Sequence, residues 1–306
     1  MVELLGTREV QALCRTLELH PSKKRGQNFV TDPGTVRRIA ALGCQGVPAS
    51  QTVLEIGPGL GSLTLAILEL EPRLVAVEID RRLAQALAQT VAARGADPER
   101  LHVMNRDALQ LEDEAELTDK TRWPAPCALV ANLPYNVATP ILLHILEILP
   151  GVGRAVVMVQ AEVAQRLVSR PGERAYGAPS VKLSWWGETK PAFTVSRQVF
   201  YPIPNVDSAV VQFQRHDPLE RLLQNRVSVS AENLEKLREA AFRLVNAAFN
   251  QRRKTLRRSL GDILGDADAA AYLLEKADID PGLRPERLGI LEFSRLAAVG
   301  LEEGKL

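Results

Sequence analysis

The sequence predicts an α/β fold, a mostly parallel sheet with helices between its strands, followed by a smaller all-helical domain. Three observations carry that prediction. From about residue 51, short β-rich runs alternate with helical ones; a glycine-rich turn follows the first of those runs; and the β signal disappears after Asp217. Strands alternating with helices of this length imply βαβ units with right-handed crossovers.

In chain order, Thr52 to Ile56, Leu74 to Ile79, Leu101 to Asn105, Cys127 to Ala131 and Arg154 to Gln160 read as strands. Leu60 to Leu70, Asp80 to Arg94, Thr139 to Leu149 and Ala161 to Ser169 read as helices. Ser180 to Trp186 and Ser208 to Gln214 also read as strands, joined by a Pro-rich loop and added antiparallel at a sheet edge. Glu232 to Arg258 reads as one helix, with apolar residues at 234, 237, 241, 244, 245, 248 and 249. The expected division is a domain over 1–216, with a basic lid segment at about 20–50, and a small helical domain over 217–306.

Length and composition fit this organisation. A chain of 306 residues with 46% hydrophobic and 25% charged residues can bury a large core plus a smaller one. No stretch approaches the roughly 18 consecutive apolar residues of a membrane span. Met1 to Glu9 carries Glu3 and Glu9 and no apolar core, so a secretory signal is not expected and the cytoplasm is the default. Cys14, Cys44 and Cys127 are odd in number and far apart, and His20, His102, His144 and His216 show no ligand spacing. Neither a disulfide framework nor a metal site is expected. The net charge is +1, yet cations cluster: Lys23, Lys24 and Arg25 in one run, and Arg252, Arg253, Lys254, Arg257 and Arg258 in another with no acid between them. A solvated helix face is the plain reading of such a run; the missing acids favour phosphate contact instead.

Asn132-Leu133-Pro134-Tyr135 is the most informative short stretch. It follows the apolar run ending at Ala131 and so sits at a strand's carboxyl end, where open α/β sheets keep their ligands. Pro134 has no N–H and restricts Leu133 to an extended conformation, which leaves nearby carbonyls directed outward. The Asn132 oxygen and such a carbonyl can both accept from an amino group, while Tyr135 offers a face for stacking. An ordinary strand-to-helix loop would read the same in isolation.

Glu55-Ile56-Gly57-Pro58-Gly59-Leu60-Gly61 runs from a strand into a glycine turn and a helix. Glycines at 57, 59 and 61 permit close approach of a ligand to backbone and helix N-terminus. Glu78 ends the next strand, 21 residues after Gly57, where an acid can accept both ribose hydroxyls. A dinucleotide fingerprint needs glycine where this chain has Ser62. The Gly-x-Gly-x-Gly form, Glu55 ahead of it and Asp107 after the third strand look instead like an S-adenosylmethionine site. Asp107 reads as a contact to the adenine amino group, or else as a helix cap. Gly26 to Val30 reads as a capping turn or, with the other elements, as a lid bringing Asn28 and Val30 to the cofactor.

Taken together, Gly26 to Val30, Glu55 to Gly61, Val77 to Asp80, Asn105 to Asp107, Asn132 to Asn136 and Phe200 to Ser208 resemble the ribosomal RNA adenine dimethyltransferase family, most nearly its bacterial small-subunit members. The match runs in order from about residue 20 to 260. It implies a Rossmann-like class I S-adenosylmethionine-dependent methyltransferase with a mostly parallel seven-stranded sheet. The implied activity is N6,N6-dimethylation of two adjacent adenosines near the 3′ end of small-subunit ribosomal RNA, within a pre-ribosomal particle, by a monomer. By position, Asn28, Val30, Gly57, Gly59, Gly61, Glu78, Asp107 and Asn132 would bind cofactor. Asn132, Leu133, Pro134 and Tyr135 would orient the adenine, with Phe200 packed on its other face. Lys23, Lys24, Arg25, Arg252, Arg253, Lys254, Arg257 and Arg258 would meet RNA. The family usually has leucine at Val30, a departure that spares a backbone contact. Two other readings remain open: the antibiotic-resistance type of large-subunit adenine methyltransferase, and a catalytically silent assembly factor on the same fold.

Overall fold

The computed structural model describes residues 2–19 and 28–306. Strands β1 (Phe29–Val30), β2 (Thr52–Ile56), β3 (Arg73–Glu78), β4 (Leu101–Asn105), β5 (Pro126–Asn132), β6 (Arg154–Gln160), β7 (Gly187–Val195), β8 (Phe200–Tyr201) and β9 (Ser208–Arg215) form two sheets. The larger has seven strands in the order β4-β3-β2-β5-β6-β9-β7, and the smaller pairs β1 with β8. Strands β4, β3, β2, β5 and β6 run parallel, and β9 runs antiparallel to β6.

The position of the site follows from this order. Successive strands go outward from β2 to β3 and β4, then return to β5 and β6 on the other side. The carboxyl ends of β2 and β5 therefore border a switch point, where a crevice opens. All five residues of β2 are buried, because helices cover both faces of a parallel sheet. Helix Ser62–Leu68 is likewise buried along its whole length. Helix Pro33–Gly43 begins with Pro at its first position and Asp32 as its cap, the carboxylate accepting from the Thr35 N–H at 2.7 Å.

The chain divides into two compact units, residues 1–164 with 190–214, and residues 165–189 with 215–306. The boundary at 216/217 expected from the β signal thus leaves out a segment that packs with the C-terminal helices. The reason is aromatic packing. Within the second unit, Trp185 and Trp186 both meet the Phe242 ring edge-on, at 6.1 and 5.4 Å between centroids, and Tyr176 meets Phe249 at 6.1 Å. The Tyr176 hydroxyl donates to the buried Leu288 carbonyl at 2.9 Å.

Two expected elements differ. Ser180 to Trp186 lies in a helix, Ala178–Trp186, not a strand. Alternation at Val181, Leu183 and Trp185 imitates a half-buried strand, but adjacent Trp185 and Trp186 are both buried, which a pleated strand with one buried face does not allow. The strand comes directly after it, as β7. Second, the helix expected to reach Arg258 is Leu234–Asn250. It ends ahead of the cationic run, so that run occupies a turn and the short helix Leu256–Ser259 rather than one continuous face.

Candidate active site

A cavity of about 570 Å³ lies within the first unit, at the carboxyl ends of β2, β3 and β5. The glycine loop forms its floor. Gly57 and Gly59 line it with φ of +69° and +58°, values that L side chains rarely adopt. A Cβ on Gly59 would fall 2.9 Å from Phe29 Cε1, so the loop and the lid strand touch only because that atom is missing. Gly61, also expected to contact cofactor, does not line the cavity. It starts helix Ser62–Leu68 at φ +95°, and a Cβ there would meet Leu87 Cδ1 at 2.9 Å. Its work is close packing of the helix.

Glu78 lines the second wall and is 5% exposed. Its Oε2 accepts from the Gly59 N–H at 3.0 Å and its Oε1 from the Asp80 N–H at 2.9 Å, so one carboxylate ties the glycine loop to the end of β3. Burial raises its pKa, and these two donors counter that rise. Glu55 also lines the cavity, 1% exposed, with Thr64 Oγ1 donating to Oε2 at 2.7 Å. Burial pushes the Glu55 carboxyl up to about 8, the Thr64 bond lowers it in part, and neighbouring Glu78 raises it further. Asp107 takes the capping role and also borders the cavity: it caps the turn Ala108–Gln110, Oδ1 accepting from the Leu109 N–H at 3.0 Å.

The third wall is Asn132, Leu133, Pro134 and Tyr135. Asn132 Nδ2 donates to the Asn28 carbonyl at 3.2 Å, which leaves Oδ1 as the acceptor end of that amide. The Pro134 carbonyl accepts from the Val137 N–H at 3.2 Å, whereas the Leu133 carbonyl has no hydrogen-bond partner among the described residues. Of these two carbonyls, that of Leu133 is the one left without a partner among the described residues. The Tyr135 hydroxyl bonds Ser208 Oγ at 2.8 Å, which holds the ring; burial raises its pKa and the Ser208 bond lowers it.

The fourth wall is β1 with Asn28 just ahead of it. Asn28, Phe29 and Val30 line the cavity, and the Val30 carbonyl accepts from the Ser62 hydroxyl at 2.7 Å. Phe200 departs from expectation. It pairs in register with Val30, is 2% exposed and belongs to the first unit's hydrophobic core, and it does not line the cavity. The reading from sequence also missed Phe29 and Ile79, which do line it; Ile79 stays 67% exposed directly after Glu78, an apolar side chain kept in solvent beside an acid.

Of the expected RNA contacts, Lys23, Lys24 and Arg25 lie outside the described residues, as does Gly26. The other five belong to the second unit. Arg252 pairs with Glu286 at 3.2 Å and donates to the Arg174 carbonyl at 2.9 Å, and Arg257 pairs with Asp268. Arg253, Lys254 and Arg258 are exposed and have no ion-pair partner among the described residues. The run is thus less uniform than its lack of internal acids suggests.

The comparisons agree on one family. A model of the family described as ribosomal RNA adenine dimethylase matches residues 20–296. The chain is 48% identical to a protein of Leifsonia xyli subsp. xyli named ribosomal RNA small subunit methyltransferase A, covering 97% of this chain and 99% of that one. It is 47% identical to a Streptomyces coelicolor protein of the same name, covering 96% of each. Among solved structures, a dimethyladenosine transferase from Plasmodium falciparum shares the fold with a TM-score of 0.69 at 21% identity, covering 90% of this chain and 98% of that one. The 23S rRNA methyltransferase ErmE has a TM-score of 0.59 at 25% identity, covering 89% and 98%. The family match spans nearly the whole chain and the identities hold at full length, so this chain belongs to the ribosomal RNA adenine dimethylase family.

Proposed function

We propose that the chain dimethylates the exocyclic N6 of two adjacent adenosines near the 3′ end of small-subunit ribosomal RNA, with S-adenosylmethionine as donor. The observation that carries this is that the Asn132 to Tyr135 turn and the glycine loop face one cavity. The small-subunit target is favoured over the large-subunit one because the full-length relatives near half identity bear the small-subunit name, while the large-subunit enzyme stands at 25%.

The residues present fit an adenosine with a cationic arm. A cavity of about 570 Å³ is within the usual range for such ligands. Gly57 and Gly59 let the loop backbone itself line the cavity, with Phe29 packed against Gly59. In this reading Glu78 holds the ribose hydroxyls and Asp107 the adenine amino group, with Ile79 flanking the ring. Asn28 and Val30 close over the ligand from the lid, and Gly61 and Phe200 act indirectly, by packing the helix and the lid strand. When bound, S-adenosylmethionine supplies a methyl group already activated by its sulfonium charge.

The chain's own task is then alignment. Asn132 Oδ1 and the Leu133 carbonyl accept the two N–H bonds of the target amino group. This favours a pyramidal nitrogen whose lone pair points away from the acceptors. Tyr135, held by Ser208, stacks on the base. No strong base is needed before attack, because the amino protons become acidic only as positive charge develops on nitrogen. Holding the nucleophile in line supplies most of the acceleration.

The helical unit meets RNA through Arg253, Lys254 and Arg258, with Lys23, Lys24 and Arg25 serving the same end from the N-terminal segment. The substrate is RNA within a small subunit under assembly, and the chain acts as a monomer in the cytoplasm. No helix of the described residues is long and apolar enough to cross a membrane. Incubation with labelled S-adenosylmethionine and unmethylated small or large subunits tests the reading. Label in small-subunit RNA supports it, label confined to large-subunit RNA assigns the resistance-type activity, and no label in either leaves a binding factor.

A further inference from the structure

The loop at residues 202–207, Pro-Ile-Pro-Asn-Val-Asp, holds two large apolar side chains in solvent: Ile203 is 58% exposed and Val206 45%. Single exposed apolar residues are ordinary. Two on one tethered loop at the rim of a binding site ask for a partner. Pro204, between them, is buried. The Asp207 carboxylate accepts from the Arg197 N–H at 2.9 Å, the Asn205 carbonyl from Arg197 Nη1 at 3.2 Å, and the Asp207 carbonyl from the Ala161 N–H at 3.0 Å.

Both ends of this loop attach to walls of the cavity. At one end Tyr201 pairs in register with Phe29 of the lid strand. At the other, Ser208 holds the Tyr135 hydroxyl at 2.8 Å. The exposed pair is therefore carried on a segment strung between the lid and the turn that receives the base, with the exposed cation Arg197 at its foot.

We propose that Ile203 and Val206 form an apolar wedge that fills the gap in the RNA stack when the target adenosine leaves it for the cavity. This rests on the reading of the site as an RNA adenine N6-methyltransferase. A base drawn from its stack uncovers the face of its neighbour, and apolar side chains inserted at that step cover the face and hold the distortion. Arg197 beside the wedge neutralises a phosphate of the strand being bent.

The test uses the full chain with S-adenosylhomocysteine and unmethylated small subunits reconstituted with 2-aminopurine beside the target adenosines. Wild-type protein is expected to raise the fluorescence several-fold, as the probe loses its stacked neighbour. In I203S/V206S the rise should shrink at least fivefold, with S-adenosylhomocysteine affinity within twofold of wild type. An undiminished rise overturns the wedge, and so does a parallel loss of S-adenosylhomocysteine affinity, which would mark the loop as structural. If the pair docks on protein instead, I203S/V206S will slow methylation of assembled subunits while leaving the probe signal intact, and the wedge fails. Methylation of unlabelled small subunits by wild-type protein separates these results from failure of the underlying reading.

Discussion

Asn132 donates its side-chain amide to the Asn28 carbonyl at 3.2 Å, and this one bond sets which end of the amide can receive a substrate. The residue just ahead of β1 therefore fixes the orientation of the amide that, in the proposed reading, receives the base.

Removing that acceptor is expected to abolish the chemistry while leaving the fold. Asn132→Ala should lower kcat/KM by about 10²-fold or more, the usual cost of a preorganised partner lost at the reacting centre. The folded state loses about 1 kcal/mol, as for one hydrogen bond of ordinary strength. Single-turnover methylation alongside thermal unfolding checks both parts. A variant with wild-type rate would remove Asn132 from the mechanism.

Glu78→Gln separates charge from shape. The amide keeps the size of the carboxylate but replaces one acceptor oxygen with a donor that faces the N–H of Gly59 or Asp80. Hydrogen bonds to charged groups contribute about 1.5–3 kcal/mol, so affinity for S-adenosylmethionine should fall about 10- to 150-fold by calorimetry.

Glu55 makes stability depend on pH. Burial disfavours the anion and pushes its carboxyl up to about 8 in the folded protein, against about 4.5 for an unburied carboxyl. Between those values the unfolded chain has lost the proton and the folded one has kept it. This contribution is thus complete below about 4.5 and is lost as pH rises toward about 8, at no more than about 1.4 kcal/mol per pH unit. Glu55→Gln should flatten the slope of unfolding free energy over that window in denaturant titrations, and an unchanged slope would assign the pH dependence to another group.

The cationic run should split in two by function. Arg253, Lys254 and Arg258, which lack ion-pair partners among the described residues, are free for phosphate. Their triple replacement by alanine should weaken RNA binding and lower the log–log salt slope by about 2 to 3, at about 0.7–0.9 per contact. Affinity for S-adenosylmethionine should not change. Arg252→Ala should instead lower thermal stability, since it releases Glu286 and the Arg174 carbonyl.

Much of this was legible in the sequence because its signals are local. Strands β2 to β6, the glycine turn, Glu78 at the end of the next strand and the Asn132 to Tyr135 turn all announce themselves within a few residues. What was not legible depends on distant partners. Arg252 and Arg257 are tied to acids 34 and 11 residues away, which no reading of the run itself could find. Phe200 lies beside Val30 only because β8 returns to β1, and that pairing turns its ring into the core. Trp185 and Trp186 looked like part of a strand until Phe242 supplied a partner for both. Phe29 and Ile79 were missed because apolar residues beside polar motifs look like packing.

The central claim is that one cavity delivers methyl groups to N6 of small-subunit adenosines, and nucleoside mass spectrometry tests it most directly. Unmethylated small subunits treated with the protein and S-adenosylmethionine should yield two N6,N6-dimethyladenosines per RNA, and none with Asn132→Ala. Absence of dimethyladenosine with the wild-type chain, or its formation by Asn132→Ala, would contradict the account.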